Sequence, residues 1–158
     1  AHLGILEGDM VTYLVKAGRA GEALFTREGM QLEAYCSAIG KILVAALPEA
    51  ERETYLANGP FIRLTPNTIV EPERLRAMLE DVREGGLSTD TEEIAEGLCC
   101  VAMPVRDCDD RVIAAISLSG DSPLGCSAKD NAALEALRQA SWGLTHDLWR
   151  HRRPESGK

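Results

Sequence analysis

Aromatic side chains are scarce in this chain: two Trp, three Tyr and two Phe among 158 residues, 4% of the total. A core of ordinary size must therefore be built from Leu, Ile, Val, Ala and Met. Long apolar runs are missing too. The longest, Ile42 to Leu47 with its flanks, falls far short of the roughly 20 residues of a membrane-spanning helix. The first residues show no basic region followed by an apolar run, the mark of a secretory signal. Positive charge is in deficit, 17 basic against 25 acidic side chains for a net charge of -8. That is the wrong sign for a body that binds nucleic acid by neutralising phosphates. The one basic concentration, Arg150 to Arg153, lies beside Pro154, Ser156 and Gly157, so residues 151–158 read as a solvated basic tail.

Chemical motifs are equally sparse. No pair among Cys36, Cys99, Cys100, Cys108 and Cys126 has CxxC spacing, and His146 and His151 have no nearby cysteine, so neither a metal site nor a cofactor is expected. An odd cysteine count in a chain large enough to need no staples fits a reducing cytoplasm. There is no GxGxxG or Walker lysine pattern; "AIGK" at 38–41 lacks both the glycines and the following hydroxyl, and Lys41 reads as a solvated helix-face residue. "GDSPLG" at 120–125 is not a GxSxG elbow. The three histidines, His2, His146 and His151, lie near the chain ends, so a cysteine nucleophile has no evident base and no enzyme is expected.

What is present is the make-up of a single globular domain, 45% hydrophobic and 27% charged. Residues 3–6 and 10–15 flank "EGD" as two strands and a turn. The chain thus opens in a strand with no helical lead-in, as expected of a piece of a longer protein. A loop at 16–23 leads to a possible strand at Leu24 to Thr26. Ser37 can cap a helix whose Ile39, Ile42, Leu43, Ala46 and Leu47 recur at offsets of three and four. Gly40 inside it suggests close approach by another element or a ligand. Pro48 opens a helix over 49–57, and Leu75, Met78, Leu79 and Val82 mark another over 72–84, stopped by Gly85 and Gly86. Two apolar runs, 98–105 and 111–120, flank an acidic turn as a hairpin, with Pro104 near an edge or end. Ser127 and Asp130 have capping-box spacing before a closing helix at 128–149, with Leu134, Leu137, Ser141, Leu144 and Leu148 as its stripe. The order predicts an α+β fold, helices on an antiparallel sheet.

Two-residue alternation puts Ser117 and Ser119 on one face of the last strand, and Cys100 with Ala102 on one side of its partner. The result is a notch for a ligand of a few heavy atoms, with hydroxyls for a carboxylate or carbonyl. The same pattern also fits serines that only serve nearby backbone and cysteines that are small buried fillers. Asp90, in "STDTEE", either caps the turn through Thr91 to Glu93 or faces the notch, there to bond a ligand hydroxyl or to be protonated against a ligand carboxylate. The N–H groups of Ala38 to Gly40 at the helix start form the best anion site the sequence offers.

"YCSAIGKILVAALPE", "TPNTI" with Leu75 following, "GGLSTDTEEIAEGLCCVAMPV" and "VIAAISLSG" together resemble the C-terminal effector-binding domain of the IclR family of bacterial transcriptional regulators, over nearly the whole chain. The resemblance implies a GAF/profilin-like curved antiparallel sheet flanked by helices, with residues 1–150 as the effector-binding domain. It also implies a winged helix-turn-helix N-terminal to these residues, through which operator DNA is bound, assembly as a homodimer or homotetramer, and no membrane partner. The effector class is a small organic acid, keto, hydroxy or aromatic. By motif position the site would comprise Ala38, Ile39, Asp90, Leu98, Cys100, Ser117 and Ser119, with Leu32 and Leu24 as an apolar lid. Ala38 and Ile39 replace a Gly–Ala pair found in members that bind small keto acids, which narrows the mouth, and Cys99 stands where an arginine is common. A GAF-like sensor joined to a different output domain is the alternative.

Overall fold

The computed structural model describes residues 1–18, 26–121 and 131–151. Strands β1 (His2–Glu7) and β2 (Met10–Lys16) form a hairpin whose two-residue turn begins with Gly8 at φ 61°, a backbone value that glycine adopts without strain. Next come β3 (Gln31–Glu33), α1 (Ala38–Ala45), α2 (Glu49–Ala57), α3 (Pro72–Gly85), β4 (Ser88–Thr91), β5 (Leu98–Arg106), β6 (Val112–Asp121) and α4 (Asn131–His151). All six strands join one antiparallel sheet in the order β3-β2-β1-β6-β5-β4. The first strand therefore sits centrally, beside the last.

Every residue of α1 is buried. That is the pattern of a helix covered all round, and α1 packs on the sheet with α2 and α3 against it, while α4 contacts β5 and β6. Two glycines set how closely α1 can approach. A Cβ on Gly40 would lie 2.2 Å from the carbonyl oxygen of Ala34, so the close neighbour anticipated there is the chain just before the helix. A Cβ on Gly4 would lie 3.2 Å from Ile39 Cγ2 and 2.9 Å from Val11 Cγ1, so α1 crosses the inner side of β1 almost on its backbone.

Several expectations need correction. The segments Gln31–Glu33 and Ser88–Thr91 are strands that went unrecognised, because three or four mostly polar residues carry no apolar alternation. Leu148 is exposed rather than part of the buried stripe of α4, whereas Leu137 is fully buried. Leu24, Cys126 and the capping pair Ser127 and Asp130 lie outside the described residues, as does the tail from residue 152.

Candidate functional site

The Ser37 side chain accepts from the Gly40 N–H at 3.1 Å and fixes the start of α1. The N–H groups of Ala38 and Ile39 remain without intrahelical partners. Ala38 and Ile39 lie against the inner side of the sheet, where register pairs Cys100 with Ser119 and Ala102 with Ser117. One cavity joins the two. It is lined by Leu32, Ala38, Ile39, Asp90, Leu98, Cys100, Ser117 and Ser119, and also by His2, Tyr13, Thr26, Ser37 and Ile94. Every described residue named for the site by sequence thus borders the same hollow. The hollow is small, with about 20 Å³ open to the centre of a water-sized sphere, on the scale of what one ordered water needs.

By sequence His2 is a residue near the chain end, yet the central place of β1 brings its ring into the cavity wall, 4% exposed. Its Nε2 lies 2.8 Å from Thr26 Oγ1 and its Nδ1 3.5 Å from Ser119 Oγ, which in turn accepts from Cys100 Sγ at 3.2 Å. Burial, then the nearby α-amino group and Lys16, lowers the imidazole pKa to about 4, so it is neutral at physiological pH. Burial pushes the Cys100 thiol up to about 12, with the Ser119 hydroxyl pulling the other way. A neutral thiol beside a weakly basic imidazole is a set of hydrogen-bonding groups, not a nucleophile and its base.

Asp90, 1% exposed, fulfils both of its alternatives: it lines the cavity, and its Oδ1 accepts the Glu93 N–H at 2.7 Å. Burial raises its pKa to about 6, against the opposing pull of the Glu93 and Ile94 N–H groups and Lys41. The turn holding it is tied from outside. Thr65 Oγ1 donates to the Glu92 carbonyl at 2.6 Å and Thr68 Oγ1 to that of Glu93 at 2.7 Å, so "TPNT" is a clamp on this turn. Glu92 sits at φ 58°, an uncommon value for a residue with a side chain, held by its N–H bond to the Leu98 carbonyl.

Lys41 is not a solvated residue. It is 2% exposed, donates to the Thr89 carbonyl at 3.0 Å and forms a buried ion pair with Glu93. A helix enclosed on all sides has no solvated face to offer, so its one long cation needed an internal partner. Among the described residues no group of His, Cys, Asp and Glu side chains is arranged to hold a metal ion, and no helix is long and apolar enough to cross a membrane.

Residues 1–145 match the family model described as bacterial transcriptional regulator IclR C-terminal. The transcriptional regulator XynR of Escherichia coli is 39% identical over 152 residues, 93% of this chain and 59% of its own length. Among solved structures, the C-terminal domain of the E. coli transcriptional regulator KdgR superposes with a TM-score of 0.81 at 32% identity, covering 93% of this chain and 85% of that one. An IclR homologue from Microbacterium hydrocarbonoxydans, complexed with 4-hydroxybenzoate, gives 0.81 at 27% identity, covering 93% of this chain and 59% of that one. The chain spans little more than half the length of the curated regulator it matches. With the curled six-stranded antiparallel sheet and its four helices agreeing as well, the chain belongs to the IclR family as an effector-binding C-terminal domain.

Proposed function

We propose that this domain senses a small organic acid, keto, hydroxy or aromatic, for a cytoplasmic bacterial regulator, and that it also carries the contacts of a homodimer or homotetramer. The observation behind the reading is the convergence in one cavity of the α1 N-terminus, two serine hydroxyls and Asp90. The N–H groups of Ala38 and Ile39 suit a carboxylate, with the helix dipole behind them. Ser117 and Ser119 suit its keto or hydroxyl oxygen, while Leu32, Ile94 and Leu98 cover the apolar part. The solved relative complexed with 4-hydroxybenzoate supports an acid as the ligand class. No reaction is assigned to the site, because its thiol and imidazole are both neutral and neither activates the other.

A ligand acts on DNA binding by fitting one subunit arrangement better than another and so shifting their populations. The DNA-reading part is a winged helix-turn-helix N-terminal to these residues, and operator DNA is bound there, not through the acidic body described here. The cavity is near single-water size, so a ligand has to widen it; that cost and the small contact area set an affinity about micromolar or weaker. Calorimetric titration with pyruvate, glyoxylate and 4-hydroxybenzoate tests the reading. Binding of at least one acid is expected, with a loss of tenfold or more in the double variant Ser117→Ala, Ser119→Ala. Equal affinity in that variant would move the site elsewhere.

A further inference from the structure

We infer that the cavity takes up a carboxylate ligand together with one proton, that Asp90 holds this proton, and that the buried pair Lys41–Glu93 positions Asp90 for it. The inference deepens the proposed acid-sensing role and rests on it.

The charges around the cavity carry the argument. Two carboxylates, Asp90 and Glu93, are buried side by side, and Glu93 reaches back to Asp90 through its own N–H at 2.7 Å. One cation, Lys41, serves them both, and its ion pair is with Glu93. Among the described residues, no Lys or Arg lines the cavity, and Glu93 Oε2 has no hydrogen-bond partner. The cluster is thus neutral when Asp90 is protonated and carries one excess negative charge when it is not. Adding an anionic ligand beside an ionised Asp90 would put two negative charges in a cavity walled by low-dielectric core. A proton removes one of them. It comes from solvent, stays on the Asp90 carboxyl, and turns that group from an acceptor into a donor toward the ligand carboxylate; no other bond is made or broken.

The other titratable groups facing Asp90 leave it alone in this role. His2 on β1 is neutral above about pH 4. Burial also raises Tyr13 on β2, and raises Cys36 before α1 and Cys100 on β5 to about 12, with Cys99 beside it raised as well. Lys41 from α1 and Glu93 after β4 are committed to each other. Two further features mark the arrangement as a holding device rather than ordinary packing. Thr65 and Thr68 clamp the backbone of Glu92 and Glu93, and Glu92 is kept at φ 58°.

The test is a titration of the whole chain with pyruvate, glyoxylate and 4-hydroxybenzoate between pH 5.5 and 8.0, in two buffers of different ionisation enthalpy so that protons taken up can be counted. Uptake approaching one proton per ligand is expected at the upper end, with Kd rising toward tenfold per pH unit there. The Asp90 carboxyl, followed by carbon-13 NMR, should move to its protonated shift when ligand is added at pH 7.5. In Asp90→Asn the uptake should vanish. Glu93→Gln keeps the backbone donor to Asp90 but leaves Lys41 without an anionic partner, so Asp90 stays ionised and the pH dependence moves to lower pH by a unit or more. A merely structural pair would leave the profile where it was. Ligand binding with no proton uptake, or an Asp90 signal that remains ionised in the complex, overturns the inference while leaving the acid-sensing role intact. Failure of every acid to bind at every pH overturns both.

Discussion

Replacing Asp90 by Asn should stabilise the protein at neutral pH, though it removes a residue from a packed and hydrogen-bonded place. The folded-state pKa lies near 6 against an ordinary 3.8, so the folded form holds the proton more tightly than the unfolded chain. The stability associated with the neutral group is complete below the unfolded value, is lost as pH rises through about 6, and is gone above it. A displacement of about two units amounts to about 3 kcal/mol by pH 7.5. At pH 4.5 about 1 kcal/mol of this is already lost, by the same linkage. Asn cannot ionise, and its amide oxygen can still accept the Glu93 N–H, so the variant escapes the loss. Urea unfolding of both proteins at pH 4.5 and 7.5 should show the advantage of Asn growing by about 2 kcal/mol between them. In a chain of this size that corresponds to a change in Tm of roughly 4 to 8 °C. Other ionisations are common to both proteins and cancel. An advantage equal at the two pH values, or a variant less stable at pH 7.5, would refute the assignment of a burial-raised carboxyl here. A group that weakens the fold at working pH and faces a cavity is placed there for binding, which is why the measurement bears on function.

Two further outcomes follow from the packing of α1. Gly40→Ala, which in an exposed helix gains up to about 1 kcal/mol, should instead lose about 3 kcal/mol or yield no folded protein, because its Cβ would lie 2.2 Å from the Ala34 carbonyl oxygen; calorimetric Tm decides it. Lys41→Met leaves the Glu93 carboxylate buried without its cation and should lose about 3 to 5 kcal/mol. Adding Glu93→Leu should restore most of that loss in the unfolding midpoint, whereas additive losses would show that the pair is not coupled.

How much of this could be read from residues alone depended on whether the partner was local. The Ser37 cap and the common face of Ser117 and Ser119 follow from local spacing and a period of 2, and the structure reproduces both; the stripe of α1 it does not, since the helix is buried on every side and Ala46 and Leu47 lie past its end, Ala46 exposed. Lys41 is not legible as buried, because its partner Glu93 lies 52 residues away and nothing local distinguishes a buried lysine from a solvated one. The role of His2 was hidden for a related reason. Its place in the cavity comes from pairing β1 with β6, where His2 lies opposite Ser117, far away along the chain. The clamp from Thr65 and Thr68 was visible only as part of a recurring motif, without a mechanism.

The cavity's walls are unequal in how firmly they are held, and this decides how a ligand can enter. The α1 wall is backed from behind: α2 and α3 pack against the helix, every residue of which is buried. The β5–β6 wall is fixed by a register running from Leu98 to Arg106, and the Asp90 turn is pinned by two threonines, a lysine and its own carboxylate. Leu32 is different. It projects, half-buried, from a three-residue strand at the edge of the sheet that, among the described strands, has its ladder with β2 only. Edge pairing of that length has the least to lose by opening. Widening from about 20 Å³ to the size of an organic acid is therefore expected at β3 and not in the core around α1.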